Sequence, residues 1–246
     1  MWRKCERRLN MQVNNFTVLE SIHGRFIVNR HCYFQIDHLA KLGTTHIENE
    51  LNAIFQLIKR LPDESTIIDG GANIGFFAIP VAQKVKHRGM NVVAFEPQKM
   101  LFSALSGTVA LNDLSNVWVK NYALSDEPGL VQLSDFDYNK EMDYGMVSVS
   151  KEGKVKEHPS LRSITVEAVT IDSFDFPDVG FIKLDVEGFE CEAIRGAANT
   201  IKKHRPILWI EYFLIGQEKV AETLKAIDPN YECHIADNQN MVCIPK

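Results

Sequence analysis

The sequence predicts an α/β fold: a mostly parallel, Rossmann-like sheet with helices on both faces. From residue 66 onward, apolar runs of strand length alternate with amphipathic segments of crossover length, which is the pattern of βαβ units. Strands are predicted at residues 66–69, 91–96, 116–121, 179–185 and 206–213. Helices are predicted at residues 75–86, 98–112, 188–204 and 217–227. The last segment, YECHIADNQNMVCIP, is typical of two strands around a polar turn, so we expect an antiparallel hairpin at the sheet edge.

Two stretches depart from this alternation. Residues 129–170 contain short apolar runs between charged turns, and we interpret them as a β-rich insertion. Residues 1–62 precede the first βα unit and include a predicted helix at 48–60; we expect them to form an extension or lid packed on the core. The main domain then covers residues 63–246. Because no long linker interrupts the chain, we expect a single domain overall.

Composition narrows the range of functions. The chain has 246 residues, of which 45% are hydrophobic, enough for one sizeable core. The formal net charge of −5 and the dispersed basic residues argue against a nucleic-acid partner. No run of 18 apolar residues predicts a membrane span. The five cysteines form no C-x-x-C pair, so reduced thiols and a cytoplasmic location are expected.

The stretch TIIDGGANIGFF, residues 66–77, joins the first strand to the first helix and has the glycines of a ligand-binding turn. A phosphate-binding P-loop would need a lysine after Gly75, where Phe76 stands. A dinucleotide turn would need glycine where Ala72 and Asn73 stand. This glycine spacing also argues against a dehydrogenase. A nucleoside without a phosphate is the interpretation that remains.

Three acids follow predicted parallel strands: Asp69, Glu96 and Asp185. Because the carboxyl ends of parallel strands form one crevice, we expect these side chains to converge there. Glu96 lies 21 residues after Gly75, where a carboxylate can accept hydrogen bonds from both hydroxyls of a ribose. The alternative for each acid alone is a helix N-cap.

Four segments together carry a resemblance to a known family: IDGGANIG, FEP, NYALSD and IKLDVEGFE. This set resembles the FkbM-type methyltransferases, and the similarity extends from about residue 50 to residue 212. The resemblance implies the class I S-adenosylmethionine-dependent methyltransferase fold, with a seven-stranded sheet whose last strand is antiparallel.

The resemblance also implies which residues bind S-adenosylmethionine. The turn from Asp69 to Gly75 would hold the methionine end, Glu96 the ribose hydroxyls, and Ala123 with Leu124 the adenine. Glu50 resembles a family glutamate that could reach the amino-acid end. Gly70 departs from the family, which more often has an apolar residue there. The full predicted set is Glu50, Asp69, Gly71, Ala72, Asn73, Gly75, Glu96, Pro97, Ala123, Leu124 and Asp185.

Oxygen is the favoured methyl acceptor, because the chain has Asp185-Val-Glu-Gly where adenine-methylating enzymes resemble one another in a proline-containing turn. The resemblance implies O-methylation of a hydroxyl on a sugar, glycan or other small molecule. The candidate catalytic residues are Asp185, Glu211 and His46, with Asp185 the first candidate for taking the proton or holding the cofactor's ammonium. Asp185 and Glu211 could also bind a divalent cation.

Aromatic residues in the insertion, Phe136, Tyr138 and Tyr144, could either stack on a sugar acceptor or cover the sheet edge. Two other functions stay open at this stage. One is a methyltransferase-like module that binds without catalysing, and the other is a methyltransferase with a nucleic-acid or protein acceptor.

Overall fold

The computed structural model describes residues 14–145, 149–150 and 162–246. The strands are β1 (Phe16–Ser21), β2 (Gly24–Asn29), β3 (Thr66–Gly70), β4 (Asn91–Phe95), β5 (Val117–Lys120), β6 (Ala123–Leu124), β7 (Gly129–Asp135), β8 (Val149–Ser150), β9 (Arg162–Val169), β10 (Val179–Leu184), β11 (Ile207–Glu211), β12 (Tyr231–Ile235) and β13 (Asn240–Pro245). The α-helices are α1 (Tyr33–Ile36), α2 (Glu48–Ile58), α3 (Ala78–Val85), α4 (Lys99–Leu111), α5 (Glu190–Arg195), α6 (Ala198–His204) and α7 (Gln217–Ile227). A π-helical segment (Asp37–Leu42) continues α1, and short 3₁₀ turns lie at Lys86–Arg88 and Ile171–Phe174.

A seven-stranded sheet in the order β12-β13-β11-β10-β3-β4-β5 organises the molecule. β13 runs antiparallel to both its neighbours, whereas β3, β4, β5, β10 and β11 pair in parallel. The predicted fold class is therefore confirmed, including the antiparallel last strand. Every residue of β3 is buried, as expected for the centre of a parallel sheet covered on both faces.

One predicted helix, residues 188–204, is two helices in the structure. α5 and α6 are separated at Gly196, where a β-carbon would lie 1.9 Å from the carbonyl oxygen of Ser125. The chain must approach that neighbouring backbone closely, and only glycine permits the contact. Hydrophobic periodicity does not indicate a tertiary constraint of this kind.

A second sheet, in the order β6-β9-β7-β8, contains the strands predicted in the insertion. Residues 146–148 and 151–161 of that stretch lie outside the described residues. The aromatic side chains Phe136 and Tyr144 are buried in the main core, and Tyr138 packs on Tyr144 with ring centroids 4.9 Å apart. The possibility that Phe136 and Tyr144 stack on a sugar is therefore wrong, because their rings are buried and hold the insertion against the core; for the half-buried Tyr138 it stays a prediction.

The N-terminal residues pack on the same core. Phe26 and Val28 of β2 are fully buried, and the Ile27 amide donates a hydrogen bond to the Thr108 hydroxyl on α4 (3.0 Å). α2 contributes Leu51 and Ile54 to the buried cluster. The division at residue 62 stays a prediction. Residues 1–13 of the predicted extension lie outside the described residues.

Cys233 and Cys243 face each other across the β12–β13 hairpin and form a disulfide. The expectation that every cysteine is a reduced thiol is wrong for this pair, because the hairpin register brings the two side chains together. Cys191 is a buried thiol, and Cys5 lies outside the described residues. None of the described helices has the length and apolar character needed to cross a bilayer.

Candidate active site

A cleft of about 370 Å³ opens at the carboxyl ends of the parallel strands, where open α/β sheets bind their ligands. The ends of β3, β4, β10 and β11 form its floor, and residues before and within α2 form part of its wall. The predicted site residues that line it are His46, Glu50, Asp69, Gly71, Ala72, Asn73, Glu96, Pro97, Ala123, Leu124, Asp185 and Glu211.

The glycine turn follows β3 and passes close to the end of β10. Gly71 has a φ of 78°, and a β-carbon on it would lie 1.8 Å from the backbone oxygen of Asp185. The amides of Gly71 and Ala72 both donate to the carbonyl of Phe95, at 3.0 and 2.9 Å. Gly75 lies behind the turn against Leu105 and Ile79, and it is not part of the cleft lining. Its role in the described structure is to let helix α4 approach.

Gly70, the departure from the family pattern, has a local explanation. A β-carbon there would lie 2.8 Å from Leu124 and 3.0 Å from Leu184, both in side chains. The large residue at 124 therefore fills the space that an apolar side chain at 70 would need. Leu124 and Ala123 are themselves buried, and with Phe95 they form an apolar wall of the cleft.

Glu96 is 4% exposed and caps the glycine turn. One of its carboxylate oxygens accepts the Asn73 amide (2.8 Å) and the other accepts the Gln98 amide (2.9 Å). Burial raises the pKa of Glu96 to about 7, although the two hydrogen bonds act in the opposite direction. The side chain of Asn121 donates to the carbonyls of Glu96 and Pro97, and so fixes the backbone that carries the carboxylate.

A buried ion cluster forms the floor of the cleft. The ammonium of Lys183 donates to Asp185 Oδ2 at 3.0 Å and lies 3.8 Å from Asp69 Oδ1. Asp69 is fully buried, and neither of its carboxylate oxygens has a hydrogen-bond partner in the described part of the chain. Burial raises the pKa of Asp69 to about 6, while Lys183 acts against that rise. Asp69 therefore offers unpaired lone pairs to a ligand.

The wall above this floor comes from the segment preceding β3. Glu50 on α2 has one buried carboxylate oxygen without a hydrogen-bond partner among the described residues, and burial raises its pKa to about 7. His46 is exposed to the cleft but sits edge-on to Phe76 and near His38, with ring centroids 5.1 and 5.7 Å away. Desolvation by these surroundings, with the effect of His38, lowers the pKa of His46 to about 4.

At the outer side of the cleft, Glu187 and Glu211 lie beside Asp185. Desolvation, followed by repulsion from Asp185, raises the pKa of Glu187 to about 9 and that of Glu211 to about 8. The exposed side chains of Phe213 and Leu214 form an apolar rim next to them. The many carboxyl groups of this cleft favour ligands that donate hydrogen bonds, and those that are ionised also favour cationic ligands.

Sequence reasoning did not select three of these residues. Lys183 and Glu187 lie two residues either side of Asp185, and the period of a strand places Lys183 and Asp185 on the same side. Gln35, from α1, donates to the Asn73 side chain at 3.0 Å and is 2% exposed. Nothing in the local pattern of Gln35 indicates that contact, because it depends on how the N-terminal segment folds over the turn.

A family profile described as the methyltransferase FkbM domain matches residues 69–232. This chain belongs to the FkbM methyltransferase family. The resemblance predicted from the motifs is confirmed. Within the FkbM match lie the glycine turn, Glu96, Lys183, Asp185 and Glu211, whereas His46 and Glu50 precede it.

Individual FkbM relatives share 30% or less of their residues with this chain over the matched regions. The methyltransferase sdnD of Sordaria araneosa is 30% identical over 164 residues, which are 56% of this chain and 62% of that protein. The hexuronic acid methyltransferase AglP of Haloferax volcanii is 26% identical over 156 residues, covering 63% of this chain and 59% of the relative. This chain therefore spans less than two thirds of either relative's length.

A solved FkbM methyltransferase from Methylobacillus flagellatus KT superposes with a TM-score of 0.54. The sequence identity is 19%, and the matched region covers 75% of this chain and 44% of the solved chain. At this identity the likeness supports the fold alone, and it agrees with the strand order described above.

No group of three or more histidine, cysteine, aspartate or glutamate side chains is arranged to hold a metal ion in the residues that the structure describes. The position between Asp69 and Asp185 is taken by the Lys183 ammonium. The expected divalent cation at Asp185 and Glu211 therefore has no support in the described FkbM domain.

Proposed function

We propose that this protein is an S-adenosylmethionine-dependent methyltransferase that methylates a hydroxyl oxygen of a sugar, glycan or other small molecule. The observation that carries the proposal is the convergence of Asp69, Glu96 and Asp185 on one cleft beside the glycine turn. Membership of the FkbM family supports the same reaction class.

The cofactor's chemical groups match the cleft's donors and acceptors. Asp69 and Glu50 carry buried oxygens without hydrogen-bond partners among the described residues, which suits the ammonium of the methionine end. Each oxygen of Glu96 accepts one amide and keeps a lone pair for a ribose hydroxyl. The apolar wall of Ala123 and Leu124 suits the face of an adenine.

When bound, the sulfonium supplies an activated methyl group, and a hydroxyl acceptor must lose its proton as the methyl is transferred. Glu211 is the proposed proton acceptor, because a raised pKa of about 8 makes its carboxylate more basic than an ordinary glutamate. Asp185, next to it, is paired with Lys183 and so is better suited to orienting a cationic or hydroxyl group. His46, with a pKa near 4, is the weaker base.

The acceptor class is proposed from two features. Glu187, Glu211 and Asp185 offer several hydrogen-bond acceptors at the outer side of the cleft, which suits a polyhydroxyl compound. The Haloferax volcanii relative is a hexuronic acid methyltransferase, which makes sugars the first compounds to test.

Calorimetric titration with S-adenosylmethionine tests the first part of the proposal. We expect saturable binding with a Kd on the order of micromolar, or about −8 kcal/mol. Folded protein that does not bind at millimolar cofactor would refute the proposal. A screen of sugars, glycans and hydroxylated metabolites for incorporation of labelled methyl tests the second part. Cofactor binding without transfer to any acceptor in that screen would instead favour a non-catalytic binding module.

A further inference from the structure

We infer that Lys183 is a positioning residue, which holds Asp69 and Asp185 as oriented carboxylates that accept the cationic end of the cofactor. The inference rests on the proposed function for the identity of the ligand. It concerns a residue to which neither the FkbM resemblance nor the proposed function assigns a role of its own.

The strand register places Lys183 where it can act on both aspartates. Lys183 on β10 is the direct cross-strand partner of Asp69 on β3, and Asp185 follows two residues later on the same side of the strand. The side chain of Lys183 is only 6% exposed, and its ammonium lies 5.9 Å from the centre of the Phe77 ring. This packing limits the directions in which the ammonium can point.

The two contacts of Lys183 differ in kind. The bond to Asp185 is a hydrogen bond of 3.0 Å, which fixes the direction of that carboxylate. The distance of 3.8 Å to Asp69 is an ion pair too long for a hydrogen bond. Lys183 therefore stabilises the charge of Asp69 and leaves its lone pairs available to a ligand.

Titratable groups from the neighbouring elements face Lys183. They are Asp69 from β3, Asp185 after β10, Glu50 from α2, Glu211 from β11, and His46 ahead of α2. Among the described residues that line the cleft, Lys183 is the only lysine or arginine. Removing it would leave the carboxylates of the floor without a counter-charge from the lining.

The titration of the floor should depend on this ammonium. Burial raises the pKa of Asp69 to about 6 and that of Glu50 to about 7, and Lys183 lowers both. Without Lys183, both groups should bind protons more tightly. A protonated carboxyl attracts an ammonium far less than a carboxylate does, so ligand binding near neutral pH should weaken.

The first test uses the protein without cofactor. Carbon-13 NMR of labelled aspartate carboxyls follows the titration of Asp69, assigned with Asp69→Asn. Lys183→Met should raise its midpoint by about one pH unit or more, whereas Lys183→Arg, which keeps the charge, should leave the midpoint near the wild-type value. A folded Lys183→Met protein with an unchanged midpoint would overturn the inference.

The second test is calorimetric titration with S-adenosylmethionine between pH 6 and 9. Lys183→Met should weaken binding about tenfold or more at pH 7, and the loss should shrink as the pH rises and Asp69 ionises again. A loss that is equal at every pH would indicate a merely structural role and would contradict the inference. Failure of the wild-type protein to bind the cofactor would refute the proposed function and leave the NMR result standing.

If Lys183→Met fails to fold, an NMR titration of the wild-type protein tests the inference instead. The side-chain signals of Lys183 should then report the same titration midpoint as the Asp69 carboxyl, because the two charges are coupled. Independent midpoints would overturn the inference.

Discussion

Glu96 joins two functions in one buried carboxylate, because it caps the glycine turn and keeps lone pairs for a ligand. Glu96→Ala should weaken S-adenosylmethionine binding by about 1.5–3 kcal/mol, the range for hydrogen bonds to a charged group. Calorimetric titration measures this loss. Glu222→Ala, on the exposed face of α7, is the matched control and should bind like the wild type. Unchanged affinity of a folded Glu96→Ala protein would show that the ribose does not use this carboxylate.

Gly71 is required by the fold as well as by the turn. Gly71→Ala combines a positive φ with a β-carbon 1.8 Å from the Asp185 backbone, so it should destabilise the protein by about 2–4 kcal/mol. Gly129→Ala is the control, because no described atom lies within 4 Å of the point that its new β-carbon would occupy. Urea unfolding of both variants measures the difference. Equal stability of the two variants would mean that the backbone at Gly71 and Asp185 can move apart at little cost in free energy.

The chemistry of single residues was only partly predictable from the sequence. Asp69, Glu96 and Asp185 could be expected in one cleft because chain direction alone fixes where parallel strands end. Lys183 was not selected, although a charged residue inside an apolar strand is unusual. Its significance depends on the register with β3, which pairs it with Asp69 and which no local pattern specifies.

At the scale of elements, Gln98 links the insertion to the carboxylate that caps the glycine turn. The side chain of Gln98 donates a hydrogen bond to the Tyr144 carbonyl (2.9 Å) and accepts one from the Tyr138 hydroxyl (3.1 Å). The backbone amide of Gln98 donates a hydrogen bond to the Glu96 carboxylate. Gln98→Ala removes the two side-chain hydrogen bonds and keeps the backbone hydrogen bond to Glu96. The free energy of unfolding should fall by about 1–3 kcal/mol.

Hydrogen exchange measured by mass spectrometry locates that loss. Protection of backbone amides against exchange should fall in residues 136–145. It should stay unchanged in β10 and β11, because the hydrogen bonds of the Gln98 side chain go to Tyr138 and Tyr144 and not to those strands. The comparison is Gln132→Ala, because among the described residues the Gln132 side chain forms hydrogen bonds only with Thr165 and Ser163 of the insertion sheet. A uniform loss of protection after Gln98→Ala would argue that its bonds support the whole core.

Strands and long amphipathic helices were predictable because a central parallel strand is apolar throughout and a surface helix has one apolar face. The break between α5 and α6, and the burial of Phe136 and Tyr144, were not. Both result from contacts between segments distant in the chain: Gly196 against Ser125, and the insertion against the core. Aromatic residues in a polar stretch fit a binding face and a buried anchor equally well until those contacts are known.

The whole molecule should become less stable as the pH rises through neutrality. Glu96, Glu211 and Glu187 have folded-state pKa values of about 7, 8 and 9, above the ordinary glutamate value, so the folded state holds protons that the unfolded state has released. The stability from these protonated groups is present at low pH and is lost as the pH rises through those values. His46, whose pKa is lowered, acts in the opposite direction only below about pH 6.5.

Thermal unfolding of the cofactor-free protein between pH 6.5 and 8.5 tests this expectation. The melting temperature should fall with pH, by about 2–4 °C for each kcal/mol lost. Glu187→Gln mimics the protonated acid and should flatten the decline, whereas Glu222→Gln on exposed α7 should not. A melting temperature that rises across this range would contradict the expectation.

The charge of the cleft should also decide which acceptors the protein uses. Seven carboxylates line it in the described residues, against the single ammonium of Lys183: Glu50, Asp69, Glu96, Asp143, Asp185, Glu187 and Glu211. S-adenosylmethionine would add two positive charges and one negative, so the complex would stay acidic where the acceptor enters. Above about pH 9, where Glu187 and Glu211 are ionised, a neutral methyl glucoside should therefore exceed the matching methyl glucuronoside in kcat/KM by about tenfold or more, equivalent to 1.4 kcal/mol. In the same buffer, Glu187→Gln should narrow that ratio, because it removes the charge that Glu187 carries above its raised pKa of about 9. A wild-type preference for the glucuronoside would contradict the electrostatic argument and would align this protein with the hexuronic acid methyltransferase of Haloferax volcanii instead.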